Sequence, residues 1–370
     1  MTDSSIDQVT LRRRGVGLIA HDGDRAFDGC TLLAPMMGDG TVYLIGMDGT
    51  VAHTWRMPYP PGDYGRLLPS GNLFYCGKTA ADSVRFPTWP LFKGGAVLEA
   101  DWRGNVLWEL RHPDHHHDAR LMANGNVLLL TIERVPSELA AQVQGGIPAI
   151  DAGSGMWADR ILEVTKEGNV VWEWHAYEHL DPATDCLTAN DWRDEWTHAN
   201  TVLETPDGNV LVSFRNISTI AIISRNTGEV LWKLGPPVLA QQHDPQVLPN
   251  GNVLVFDNGL LRRDWPLVFS RVLEIDRGTS TAVWNYRDTP PQSFFSPYIS
   301  GAQRLPNGNT LICEGCSGRL FEVTPDGRIV WEYISPYYSE TPMLGPNNWV
   351  FRAFRYSRED VQRWSGGRVG

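Results

Sequence analysis

Three histidines stand at matching places in three consecutive repeats of the chain. Aligned on the turn glycines that follow, the segments read "HDARLMANGN" from His117, "HANTVLETPDGN" from His198 and "HDPQVLPNGN" from His243, so each histidine precedes an apolar strand residue by four positions. The matching places in the flanking repeats hold Asp63 and Ser300, so the repeat itself does not demand imidazole. One such histidine reads as the polar lining of a wet channel; three of the ten histidines in one register argue for a shared task. A second register, six residues past the turn asparagine, gives Lys78, Ile132, Arg215 and Asn258. A guanidinium among imidazoles makes an anion site, because its planar fork matches tetrahedral oxyanions such as phosphate or sulfate, and carboxylate as well. Glu133, one residue beyond that register, is placed to orient an imidazole by accepting its ring proton.

These side chains need a scaffold that brings distant repeats together. One recurring unit is strand, Gly-Asn or Gly-Thr turn, strand: "RLLPSGNLFYC", "RLMANGNVLLL", "VLETPDGNVLVSF", "VLPNGNVLVFD" and "RLPNGNTLICE", with a degenerate relative in "GCTLLAP". The other is strand, Asp-Gly-like turn, strand with a tryptophan, and it ends on Trp55, Trp108, Trp172, Trp232, Trp284 and Trp331. The two units alternate, each pair supplying four short strands, and apolar alternation with short turns reads as antiparallel sheet. The expected fold is all-β, a single six-bladed β-propeller of four-stranded antiparallel blades, with a large sandwich as the structural alternative. The blades fall at about 16–57, 62–110, 115–174, 196–234, 241–286 and 298–333, followed by a closing segment over 334–370. The periodic tryptophans read as blade-to-blade packing.

With strands lettered A to D from the axis outward, the tight A–B and C–D turns share one face of the disc. The longer connections, 132–159, 175–197, 235–242, 258–270 and 287–299, share the other. Loops on a rigid scaffold are where binding and catalysis concentrate. They hold Trp89, Trp157, Trp192, Trp196 and Trp265, all off the blade period and expected as aromatic walls around a central mouth. His243, His198, His117 and Arg215 are therefore the candidate catalytic set. His116, Lys78, Glu133, Asn258, Tyr298, Trp196 and Trp265 are candidates for contacting substrate.

Composition narrows the classes. With 42% apolar and 20% charged residues, the chain of 370 can bury a large core. A net charge of −11 without a basic run argues against nucleic acid as a partner. No stretch of about 18 apolar residues could span a bilayer, and the first residues lack the apolar core of a secretory signal, so a cytoplasmic location is expected. Five scattered cysteines suit reduced thiols; Cys313 and Cys316 make a Cys-x-x-Cys pair with no second pair or flanking histidine to complete a zinc site.

The run "EWTHANTV…NVLVSFRNISTIAIISRNTGEVLWKLG…QQHDPQVLPNGNVLVFDNG…FSRVLEID" resembles the arylsulfotransferase family, the PAPS-independent arylsulfate sulfotransferases, most densely over about residues 190–280. The opening "TLLAP…GTVYLIGMDGTVAHTW" and the ending "WVFRAFRYS" are similar to the wider family. The resemblance implies a six-bladed propeller in which His243 is transiently sulfated while His117 (with Asp118 beside it), His198 and Arg215 bind the sulfuryl group. It implies double displacement between an aryl sulfate and a phenol, with no cofactor and a small aromatic or sulfated molecule as partner. Three rival readings share these residues. One is a hydrolase or lyase on an aromatic or anionic substrate. Another is a three-histidine zinc or iron centre, with His115 and His116 as spare ligands. The third is a non-catalytic propeller that binds a partner through its loop face.

Overall fold

The computed structural model describes residues 15–80, 84–262, 265–341 and 345–367. Six antiparallel sheets, five of four strands and one of five, form a six-bladed β-propeller. Blade 3 shows the pattern: His115–Leu121, Val127–Arg134, Trp157–Val164 and Val170–His175 pair in sequence order. Burial follows distance from the axis. Val127 through Ile132 are buried on both faces, whereas Val170 and Val171 on the outermost strand are exposed. This explains why the inner strands read as continuous apolar runs, while the outer ones alternate. The A–B turns close with the same backbone bonds in successive blades, Leu68 N to Asn72 O, Met122 N to Asn126 O and Leu248 N to Asn252 O. Their glycines, Gly71, Gly125 and Gly251, hold φ near 85–86°, a left-handed conformation that other residues rarely adopt.

The periodic tryptophans stitch neighbouring blades. Indole N–H groups of Trp108, Trp284 and Trp331 donate to the outer turn of the next blade, at Lys166 O (2.7 Å), Pro325 O (2.9 Å) and Met47 O (3.0 Å). Trp172 sits in their register, but the indole that crosses from blade 3 is Trp174, which reaches Gly228 O at 2.9 Å. Trp55 likewise stands beyond that register and donates to Asp101 O, while His53 takes the in-register place and bonds Trp102 O.

Closure of the ring departs from the simple repeat. Val350–Ser357 pairs with Gly29–Pro35 as the inner strand of the first blade, and Gly17–His21 adds a fifth strand outside Ile329–Ile334 of the last. The region expected as a blade over 16–57 thus takes its inner strand from 334–370 and lends its own first strand to the final sheet. Pairing the two chain ends with different blades leaves no seam held by side chains alone.

The inner strands carry β-bulges where they begin. Pairing slips between Leu129 and Thr131 in blade 3, between Ala199 and Thr201 in blade 4 and between His243 and Gln246 in blade 5. In or just before these bulges His117, His198 and Asp244 hold φ of 47°, 52° and 52°, left-handed backbone that costs a non-glycine residue about 1–3 kcal/mol. Such bulges turn side chains out of the sheet's alternation, here toward the axis. None of the described helices is long and apolar enough to cross a membrane.

Candidate active site

A cavity of about 400 Å³ opens on the loop face at the axis, and His117, His198, His243 and Arg215 all line it. The sequence register accounts for two of the three histidines. His117 and His243 stand equally far before the residues that close their A–B turns, Met122 and Leu248; His198 stands two residues further from its counterpart Thr205, where Asn200 takes the in-register place. With a bulge between Ala199 and Thr201 just after it, His198 still brings its ring to the same space, 4.7 Å from that of His117 between centroids.

Each imidazole is oriented by a different partner. His243 Nδ1 lies 2.8 Å from Asn258 Oδ1, and the Asn258 amide nitrogen donates to Ser296 O and Ile299 O, which fixes its carbonyl toward the ring. His243 must therefore donate from Nδ1 and keep a lone pair on Nε2. His198 Nδ1 lies 2.5 Å from Glu195 Oε2. His117 Nδ1 faces His116 Nδ1 at 2.8 Å, so a single proton lies between those two nitrogens, and His116 Nε2 stands 3.1 Å from Asp159 Oδ1.

Burial dominates the electrostatics. It pushes His117 and His243 well below the usual histidine range, and it lowers His198 to about 3 with help from the Arg215 charge. All three imidazoles are thus neutral at pH 7. Burial, with the nearby Asp159 charge adding to it, pushes Glu195 well above the carboxylate range, which favours the neutral acid beside His198 Nδ1. Asp191 is committed to Arg215 at 3.0 Å and also accepts from Gln241 at 2.6 Å, while Asp194 accepts backbone N–H from Ile150 and Asp151. Arg215 is further held by Asn216 Oδ1 (2.8 Å) and Gln241 Oε1 (3.0 Å), and it lies over the Tyr298 ring at 5.1 Å. Its buried Nε has no hydrogen-bond partner among the described residues.

Most of the remaining wall is apolar, with Met36, Leu91, Phe92, Trp192, Trp349 and Phe351. Phe92 stacks on His117 (4.8 Å, 24°) and meets His198 edge-on (4.5 Å, 74°). A planar aromatic group fits such a surface, which is polar at the axis and flat above it.

The other sequence candidates divide. Asn258 orients His243, His116 backs His117, and Tyr298 stands half-exposed at the mouth beneath Arg215. Lys78 lies outside the cavity lining and donates to Leu91 O at 2.9 Å. Glu133 does accept from an imidazole, but from His175 at 2.7 Å rather than from an axial one. Trp196 is fully buried in the core between blades 3 and 4, its N–H on Asp185 O at 2.7 Å. Trp265 is exposed and rests edge-on against Phe269, away from the cavity. Of the five loop tryptophans expected as walls, Trp192 lines the cavity, where Trp349 joins it. Asp118 turns away from the histidines to Arg352 at 3.0 Å. Cys313 and Cys316 bond the carbonyls of Val350 and Tyr298, and among the described residues no group of three or more His, Cys, Asp or Glu is arranged to hold a metal ion. Glu195 escaped the register because it lies in a loop; its only sequence signal is its place three residues before His198.

Fold and site together define a propeller with a histidine and arginine cluster at the mouth of its axis. The sequence profile of the arylsulfotransferase (ASST) family matches residues 91–241 and 238–332, and the chain belongs to that family. Membership supports an arylsulfotransferase-like function and an enzyme of the transferase class. No curated protein matches the chain. Among solved structures, a protein of unknown function from Bacteroides caccae is similar in fold, with a TM-score of 0.54 at 14% identity over 88% of this chain and 98% of its own. A functionally unknown protein from Desulfotomaculum acetoxidans gives 0.49 at 10% identity, covering 89% and 99%. A streptogramin B lyase gives 0.49 at 11% identity, covering 92% and 93%.

Proposed function

We propose that this chain moves a sulfuryl group from an aryl sulfate to a phenolic acceptor through a sulfohistidine at His243. In the first half-reaction the Nε2 lone pair of His243 attacks sulfur, the N–S bond forms, and the S–O bond to the aryl group breaks with its electron pair on the phenolate oxygen. In the second half a phenol oxygen attacks the same sulfur and the N–S electron pair returns to Nε2. Arg215 faces the sulfuryl oxygens, where charge shifts during transfer; His198 adds an Nε2–H donor, and His117 lines the same space. Phe92, Trp192 and Trp349 hold the aryl ring of donor or acceptor.

The observation that carries this reading is the Asn258 contact to His243, which leaves the neutral ring with a nucleophilic Nε2. The largely apolar wall favours an acceptor phenol over water as the second nucleophile. The five cysteines are all free, which suits a reducing cytosol as the place of action. The test is incubation with para-nitrophenyl sulfate, with and without a phenol. Nitrophenol release that depends on the phenol and yields its sulfate ester is expected. Release at the same rate without acceptor would make the protein a hydrolase, and no release from any aryl sulfate would remove the reading.

A further inference from the structure

Glu195 is the buried polar group that the sulfuryl-transfer scheme leaves without a task. It lines the cavity, its Oε2 lies 2.5 Å from His198 Nδ1, and its Oε1 is buried with no hydrogen-bond partner among the described residues. The backbone around it is firmly held: Asn216 Nδ2 donates to Glu195 O at 3.1 Å, and Glu195 forms a parallel bridge with Trp157. An ionised carboxylate in that position would keep one oxygen dry and unsolvated, at a cost of several kcal/mol. A carboxylic acid fits instead, with Oε2–H donating to His198 Nδ1. His198 then carries its own proton on Nε2, the edge that remains for the cavity.

We infer that Glu195 and His198 form a two-step proton relay, in which Glu195 is the store and His198 delivers the proton to the leaving phenolate. This rests on the sulfuryl-transfer reading. As the S–O bond breaks, the phenolate oxygen takes the Nε2 proton of His198. The Glu195 Oε2 proton passes to His198 Nδ1, which leaves a carboxylate and the other imidazole tautomer. In the second half-reaction the acceptor phenol gives its proton to Nε2, the Nδ1 proton returns to Oε2, and the starting state is restored. No charge accumulates on the imidazole at any point, which suits a ring so deeply buried beside Arg215. The charged and titratable groups facing the pair are Asp159, His116, Arg215 and Asp191. Asp159 disfavours a second anion at Glu195, while Arg215 and the transferred negative charge set the moment at which the proton moves. Glu195 acts through His198 and is a positioning and proton-storing residue.

Dependence on the leaving group separates this role from a structural one. Phenolate is a basic leaving group that needs the proton, its conjugate acid having a pKa of about 10, whereas para-nitrophenolate departs readily without it. Glu195→Gln keeps the size of the side chain and an N–H for His198 Nδ1, yet has no proton to release. Its kcat/KM is expected to fall about 100-fold or more with phenyl sulfate, and less than about tenfold with para-nitrophenyl sulfate. Glu195→Asp retains an acid one methylene further back and is expected to keep the shallow leaving-group dependence of the parent at a lower rate. Equal losses with both donors in Glu195→Gln, or a steep dependence in Glu195→Asp, would overturn the relay. A parent protein that forms no sulfo-enzyme from para-nitrophenyl sulfate would remove the transfer reading itself, and the relay with it.

Discussion

Two polar layers lie side by side along the propeller axis, adjacent in sequence at His117–Asp118 and His243–Asp244, and they differ in how their charges are balanced. The structural layer is Asp118, Arg120, Asp244 and Arg352. Arg352 contacts Asp118 at 3.0 Å and Asp244 at 3.1 Å and donates to Asn200 O and Thr201 Oγ1 at 2.6 Å each. Burial works against the Arg352 charge, but Asp244 and Asp118 more than offset it and hold the guanidinium firmly protonated. The cavity layer holds His117, His198, His243 and Arg215, each fastened on one side and open to the cavity on the other. A charge-balanced cluster of two carboxylates and two guanidiniums holds the closing strand to blades 3 and 5. The histidine and arginine layer is open to the cavity and has capacity left for a ligand, and the left-handed residues His117, His198 and Asp244 lie where the layers meet.

Substitutions sharpen the contrast in order of expected size. Removing the proposed nucleophile in His243→Asn should lower kcat for transfer on the order of 10⁴-fold or more, with thermal unfolding little changed; a melt that collapses together with activity would place His243 in the structural layer. Arg352→Met removes the nearer of the two guanidiniums that face the buried Asp118 and Asp244, leaving only Arg120, and should cost about 3–5 kcal/mol in chemical denaturation. Ordinary stability in Arg352→Met would break the distinction from the other side. Arg215→Ala should lower kcat/KM about 100- to 1000-fold, the range for loss of one preorganised charge donor, and circular dichroism melts should move less than for Arg352→Met. The last test concerns stability alone and is at Asp63, the blade 2 counterpart of His117. Both of its oxygens lack hydrogen-bond partners among the described residues, and burial raises its pKa to about 7. Between a pH of about 4 and about 7 the native state holds a proton that the unfolded state has lost. Stability therefore falls as pH rises through that window, by up to about 1.4 kcal/mol per unit. Asp63→Asn should flatten this slope in melts at pH 5 and pH 8, and an unchanged slope would mean that Asp63 is ionised throughout.

Much of this was legible from spacing. Turn glycines and alternating strands gave six blades, because each blade repeats one hairpin chemistry, and the shared register of His117 and His243 put both on one inner edge. Resemblance and register agreed on Arg215. What escaped lies where the repeat is silent. Val350–Ser357 pairs with a strand more than 300 residues away, at Gly29–Pro35, so no local turn announces it. Register pointed to Glu133 as an imidazole partner, yet that strand end delivers it to His175; the loop residue Glu195 does the comparable work for His198. Trp192 and Trp196 are four residues apart in one loop, and only packing decides that Trp196 goes to the core while Trp192 lines the cavity.

The central claim is that sulfur passes through a covalent bond to one imidazole. Mixing the protein with an aryl sulfate in the absence of acceptor, then mapping the sulfo-adduct by peptide mass spectrometry, addresses it directly. The account predicts one sulfuryl group on His243, discharged when a phenol is added. Turnover with no adduct, or an adduct on a different side chain, would contradict it.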